Sequence, residues 1–200
     1  MKNKKIILAT HNEGKQKEFA KLLSPLGVEL VRLMDFSGES PEETGQTFLE
    51  NALIKARAAS QLSGLPAIAD DSGLCVEALG GAPGVYSSRF AGCDASDQAN
   101  CDALLEKMKA IGLEKRRAKF VTVLVYLKSP DDPLPCVVQG DWHGSIALSP
   151  SGETGFGYDP IFYLPDLGCT AASLAPEQKN HLSHRGKAAR MLVEHLRTET

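Results

Sequence analysis

Apolar and polar positions follow two periods along this chain, and the change between them outlines its elements. "KKIILAT", residues 4–10, is a short apolar run that predicts a buried strand. Phe19, Leu22, Leu23 and Leu26 then fall on one helical face, with Asn12 placed to cap the helix and Gly27 to close it. "VELVRL" predicts a second strand and "DFSGESPEETG" a polar loop. Thr47 and Glu50 form a capping-box pattern before "FLENALIKARAASQL". Phe48, Ala52, Leu53, Ala56, Ala59 and Leu62 give that helix an apolar face, and Gly64 ends it. "PAIAD" is a short strand expected to run out at Asp70 and Asp71, with a glycine-rich loop to Gly92. "DASDQANCDALLEKMKAIG" is a capped helix with Leu104, Leu105, Met108 and Ile111 inward. "AKFVTVLVYLK" and "PCVVQGDWHGSIALS" read as long strands joined by the turn "SPDDPLP". "SGETGFGYDPIFY" is a glycine-punctuated loop leading to a short strand, and "HRGKAARMLVEHLRTE" a last helix capped by Ser183. Strands that alternate with helices and then run as a hairpin predict the α/β class with a mixed sheet. Polar glycine loops at the strand ends fit a crevice between two lobes.

Composition narrows the function classes. The chain has 200 residues, 42% hydrophobic and 24% charged, which suits one globular domain or two joined lobes. Its 22 Lys and Arg against 25 Asp and Glu give a formal charge of −3, which argues against bulk nucleic-acid binding and leaves room for a local anion pocket. No apolar run approaches the roughly 20 residues that span a bilayer. The apolar stretch behind the basic start is too short for a signal peptide, so a cytoplasmic location is expected. The five cysteines are odd in number and lack C-x-x-C spacing, so neither a disulfide framework nor a zinc ribbon is expected. His181 and His184 lack the H-E-x-x-H context of a zinc site.

Four segments carry candidate chemistry. In "ATHNEGKQKEF" the spacing Ala9-x4-Gly14-Lys15 is one glycine short of a Walker A loop, and Gln16 stands where Ser or Thr would bind magnesium. A strand turning into a helix there still offers peptide N–H groups and a positive dipole end to an anion. Read alone, the segment is equally an ordinary capped helix. Asp70 and Asp71 follow the apolar "AIA", and like charges at such a place need a positive neighbour. A divalent cation is the simplest remedy, and magnesium prefers one or two carboxylates with waters and phosphate oxygens. In "TGFGYDP", Phe156 and Tyr158 could stack on a base or plug a sheet edge. In "KNHLSHRGKA", Lys179, His184, Arg185 and Lys187 concentrate positive charge. Together these pieces suit a magnesium-dependent enzyme acting on nucleoside triphosphates.

The stretches "ATHNEGK", "EETGQTFLENALIKA", "ADDSGLCVEALGGAPGVYSSRFAG", "GFGYDPIF" and "SHRGKA", in this order, resemble the non-canonical purine nucleoside triphosphate pyrophosphatases, the inosine/xanthosine triphosphatase or Ham1 family. The resemblance runs from residue 9 to residue 188. It implies hydrolysis of ITP, dITP and XTP to monophosphate and pyrophosphate, dependence on Mg2+, a homodimer, and a single domain whose two lobes flank a long mixed sheet and a central substrate cleft. It implies that Thr10, His11, Asn12, Glu13, Gly14 and Lys15 hold the triphosphate, His11 without a specific role. Glu43 and Asp71 become metal carboxylates, Asp71 also the base for water, with Asp70 beside it. Ser72 and Lys55 lie near the substrate. Phe156, Gly157, Tyr158 and Asp159 line the base pocket, completed by Lys179, His184 and Arg185, with Arg185 the candidate donor to a 6-keto oxygen. Two rivals stand beside this reading: a pyrophosphatase for pyrimidine or modified triphosphates, and a nucleotide sensor without catalysis.

Overall fold

The computed structural model describes residues 5–36 and 41–198. Lys4 of the first expected strand, Ser37 to Ser40 of the expected polar loop, and Glu199 of the last expected helix lie outside the described residues. The elements run β1 (Lys5–Leu8), α1 (Glu13–Leu22), β2 (Glu29–Arg32), α2 (Phe48–Ser63), β3 (Ala67–Val76), α3 (Asp97–Met108), β4 (Arg117–Leu127), β5 (Cys136–Ile146), β6 (Phe162–Leu164), β7 (Cys169–Thr170), α4 (Pro176–Leu182) and α5 (His184–Thr198). Among the described residues the strands form one sheet in the order β2-β1-β3-β4-β5-β6-β7. β1 pairs in parallel with both β2 and β3, and the helices α1 and α2 supply the crossovers that parallel strands require. β6 is antiparallel to β5 and β7. The sheet is therefore mixed, as the pattern predicts.

The chain divides into two compact units: Met1–Asp71 with Thr122–Gly140 and Arg185–Thr200, and Ser72–Val121 with Asp141–His184. In the first unit both faces of the sheet are buried. Ile6, Leu8, Ile68 and Leu124 pack with Phe19 of α1 and Ala188, Leu192 and Leu196 of α5. Ile7, Ala67, Ala69, Val123 and Val125 pack with Ala52, Ala56 and Ala59 of α2. Successive side chains of a strand point to opposite faces, so a strand covered on both sides reads as an unbroken apolar run. In the second unit Leu74, Val76, Phe120, Trp142 and Ile146 form a core with Leu104 and Met108 of α3 and with Ile161 and Phe162.

The caps follow the sequence closely. Asn12 Oδ1 accepts the Lys15 N–H at 2.9 Å, Gly64 closes α2 at φ 68°, and Thr47 and Glu50 complete a reciprocal capping box. Four expectations change. The first predicted helix stops at Leu22, because Pro25 opens a separate 3-10 turn, Ser24–Leu26, which Gly27 ends. Leu62 is exposed rather than packed. β3 does not end at Asp70: it continues to Val76, and 3-10 turns at Glu77–Leu79 and Gly84–Arg89 occupy much of the presumed loop. β7 and α4 were not foreseen; α4 starts on Pro176 at its first position and is too short to show helical periodicity.

Two outcomes follow from this framework. Thr47→Ala, which removes the α2 N-cap, is expected to lower the stability measured by urea denaturation by about 1 kcal/mol. With a thiol reagent on native protein, exposed Cys93 labels first. Cys101 is buried against α3's core, and burial pushes its thiol up to about 12, so it stays unlabelled until the protein unfolds.

Candidate active site

β1 ends at Leu8 while its neighbour β3 runs on, and Ala9 N–H still donates to the Ile68 carbonyl at 2.8 Å. Asp70 and Asp71 therefore lie in the interior of β3 yet beyond the carboxyl end of β1, where ligands bind in open α/β sheets. The alternation of β3 separates the two carboxylates. Asp70 shares the parity of Ile68, on the side of α1 and α5; Asp71 shares that of Ala67 and Ala69, on the side of α2. Each meets a lysine from its own side. Lys15 Nζ of α1 donates to Asp70 Oδ2 at 2.7 Å. Lys55 Nζ of α2 donates to Asp71 Oδ1 at 2.7 Å and to Glu43 Oε1 at 2.9 Å. Here a helix lysine answers each of the adjacent aspartates.

Burial sets the electrostatics. Asp70 is 1% exposed, and burial alone would raise its carboxyl; Lys15, Lys55 and Arg185 outweigh that and hold it well below the usual carboxylate range. Asp71 behaves the other way. Burial pushes its carboxyl up, and Lys55 offsets this only in part. Burial also works against the Lys55 ammonium, but Asp70, Asp71 and Glu43 together raise its pKa above that of an ordinary lysine. A buried carboxylate with a raised pKa beside an ammonium is the arrangement expected of a proton acceptor.

The turn between β1 and α1 presents its residues in sequence. Thr10 is buried, its hydroxyl accepts the Asn12 N–H at 3.2 Å, and its carbonyl accepts Gln16 Nε2 at 2.8 Å. His11, Asn12 and Glu13 are exposed, and Gly14 is half-buried. Arg185, the second residue of α5, donates to Glu18 Oε2 of α1 at 3.0 Å, with both side chains 8% exposed. The structure thus sets Arg185 among the cations around Asp70, in the first unit.

The second unit holds the aromatic loop. Gly155 and Gly157 adopt φ 85° and 63°, values that side chains other than glycine rarely take. A Cβ on Gly155 would lie against Asp159 Oδ2. That oxygen accepts the Phe156 N–H at 2.9 Å and the Lys179 ammonium at 2.5 Å, and Lys179 also stands 4.9 Å from the centre of the Phe156 ring. Lys179 is therefore the cation at this loop. Gly157 N–H donates to Asp97 of α3 at 2.6 Å. Tyr158 belongs to the core, 4% exposed, with its hydroxyl donating to the Ser87 carbonyl at 2.8 Å. His184, 1% exposed, stacks on Phe120 at 4.8 Å and on Trp142 at 6.5 Å. Ser72 follows Asp71 in β3 and is half-buried.

Three side chains at the acidic cluster were given no role by the motifs. Asn51, one turn before Lys55 on α2, reaches Asp71; Glu18 holds Arg185; Gln16 holds the Thr10 carbonyl. The i, i+4 spacing of Asn51 and Lys55 was the available signal. Among the described residues no three His, Cys, Asp or Glu side chains group to hold a metal by themselves. Nor is any helix long and apolar enough to cross a membrane.

Residues 6–195 match the model of the Ham1 family. The chain is 55% identical to a dITP/XTP pyrophosphatase of Photorhabdus laumondii over 96% of its own length and 98% of that relative. It is 53% identical to the dITP/XTP pyrophosphatase of Escherichia coli K12 with the same coverage. Among solved structures, a Ham1 protein from Coxiella burnetii superimposes with a TM-score of 0.91 at 46% identity, covering 98% of this chain and all of that one. Family model, relatives and fold agree over nearly the whole sequence: the chain belongs to the Ham1 family.

Proposed function

We infer that this protein hydrolyses the triphosphates of deaminated purine nucleosides, ITP, dITP and XTP, to the monophosphate and pyrophosphate. The carrying observation is that Glu43 and Asp71 converge on the single ammonium of Lys55, while Lys15 and the start of α1 stand at the neighbouring Asp70. The pyrophosphatase names of relatives at 53–55% identity support the substrate class. In this reading the protein is a cytoplasmic homodimer that clears deaminated purines from the nucleotide pool.

The donor set suits Mg2+. Two hard carboxylate oxygens already meet at one point charge, and magnesium takes one or two carboxylates with waters and substrate phosphates. Glu43 and Asp71 would hold the ion, which when bound offsets charge on the phosphates as the anhydride breaks. The remaining work falls to side chains. Lys15 and the peptide N–H groups that open α1 bind the triphosphate oxygens. Asp71 accepts the proton of the attacking water. The bond broken joins the α and β phosphates, so pyrophosphate departs and the water's hydroxyl stays with phosphorus. Phe156 offers its ring to the base. A 6-keto oxygen calls for a donor, and an adenine amino group there would face it donor to donor. Lys179 stands at the ring, and Arg185 is the second candidate.

Pyrophosphate release should be fast with ITP, dITP and XTP in Mg2+ and at least about a hundredfold slower with ATP, since a mispaired polar site discriminates strongly. Equal rates for ATP and ITP would refute the purine selectivity. Asp71→Asn should abolish turnover while circular dichroism stays native, and full activity would remove Asp71 from its role. Lys55→Met removes the ammonium between the Glu43 and Asp71 carboxylates. Its stability at neutral pH is expected to fall by roughly 3–5 kcal/mol. Added Mg2+ should raise its melting temperature more than it raises that of the unaltered protein.

A further inference from the structure

One buried amide joins the acidic cluster on the side opposite the lysine. Asn51 of α2 is fully buried. The Gly45 N–H donates to its Oδ1 at 2.8 Å. A peptide N–H can only donate, so this bond fixes which end of the carboxamide is oxygen. The amide nitrogen is thereby turned to Asp71 and donates to Oδ2 at 3.4 Å. Lys55, one turn further along the same helical face, takes the other oxygen, Oδ1. Both side chains thus span the same two segments. Lys55 links Glu43 to Asp71 by charge; Asn51 links Gly45, two residues beyond Glu43, to Asp71 by neutral hydrogen bonds. There is no slack at Gly45, where a Cβ would lie 2.7 Å from Asn51 Oδ1 and 2.6 Å from the Glu50 Cβ.

We propose that Asn51 is a positioning residue that holds the Glu43 loop against Asp71, so that the two carboxylates stay converged when Lys55 is drawn away. A cation held by Glu43 and Asp71 would compete with Lys55 for their carboxylates. It does not compete with Asn51, whose partners are a peptide N–H and Asp71 Oδ2. The lysine is the exchangeable tie and the amide the permanent one. The assignment rests on the metal-dependent pyrophosphatase reading above and says which residue keeps that centre in shape.

The test uses Asn51→Leu, which keeps the bulk of the side chain and removes both hydrogen bonds. Mn2+ serves as the metal probe, its binding to nucleotide-free protein followed by electron paramagnetic resonance. Removing a group that orients metal ligands typically weakens metal affinity about tenfold to a hundredfold. That loss is expected here, with a matching rise in the Mg2+ concentration giving half-maximal ITP hydrolysis and little change in the KM for ITP at saturating Mg2+. Gly45→Ala pushes on Asn51 Oδ1 without altering a carboxylate and should shift the same two quantities in the same direction; it carries the test if Asn51→Leu does not fold. Arg57→Ala, on the exposed face of α2, should leave both unchanged. A fall in kcat and melting temperature with unaltered Mn2+ affinity would make Asn51 merely structural and overturn the assignment. If the unaltered protein binds Mn2+ and needs a divalent ion, that outcome defeats the Asn51 role alone. If the unaltered protein needs no divalent ion, the metal reading falls and the assignment falls with it.

Discussion

The alternation of side chains along β3 is the constraint on which the acidic cluster depends. Two adjacent aspartates inside a buried strand would be untenable if they faced the same way. The pleat sends them to opposite faces, and each face is roofed by a different helix that brings one lysine to its aspartate. Charge neutrality is thereby built from three separate elements, α1, α2 and β3, and depends on their register. A slip of β3 by one residue would send each aspartate to the face of the other helix and its apolar neighbours to the opposite cores.

Buried ion pairs of this kind are weak devices for stability, because desolvating the charges offsets most of their attraction. Their effect here is on acidity. Lys15, Lys55 and Arg185 hold Asp70 below the usual carboxylate range while burial pushes Asp71 above it, so neighbouring residues of one strand differ in their hold on a proton. The lysines also keep carboxylate oxygens converged before any substrate arrives, and preorganisation of that sort lowers the reorganisation needed at the moment of reaction. Helix α2 contributes most: its N-terminal capping box fixes where it starts, and the following turns deliver Asn51 and Lys55 to the same strand.

The second unit applies a similar economy to its aromatic loop. One carboxylate, Asp159, holds both the Phe156 peptide and the Lys179 ammonium, and the glycines supply backbone angles that let the loop close around it. Tyr158, which the motif places on the loop, is drawn into the core because its ring completes the packing against α3 and its hydroxyl finds the Ser87 carbonyl. His184 likewise packs against the rings of Phe120 and Trp142. Adjacent letters of a motif thus take different places, Phe156 beside Lys179 and Tyr158 in the core.

The sequence by itself determined the local grammar: helix starts at Asn12 and Thr47, the stop at Gly64, the buried first strand, and the family resemblance of five ordered motifs. These are legible because capping, glycine angles and hydrophobic period act over a few residues. Only the tertiary structure decided that β3 continues through "DDSG", because charged and small residues read as a turn until lysines from distant helices neutralise them. Only it separated Asp70 from Asp71, set Arg185 on Glu18, and recruited Asn51. Each of those depends on which residues 16 to 167 positions apart meet in space, and no local propensity encodes such a meeting.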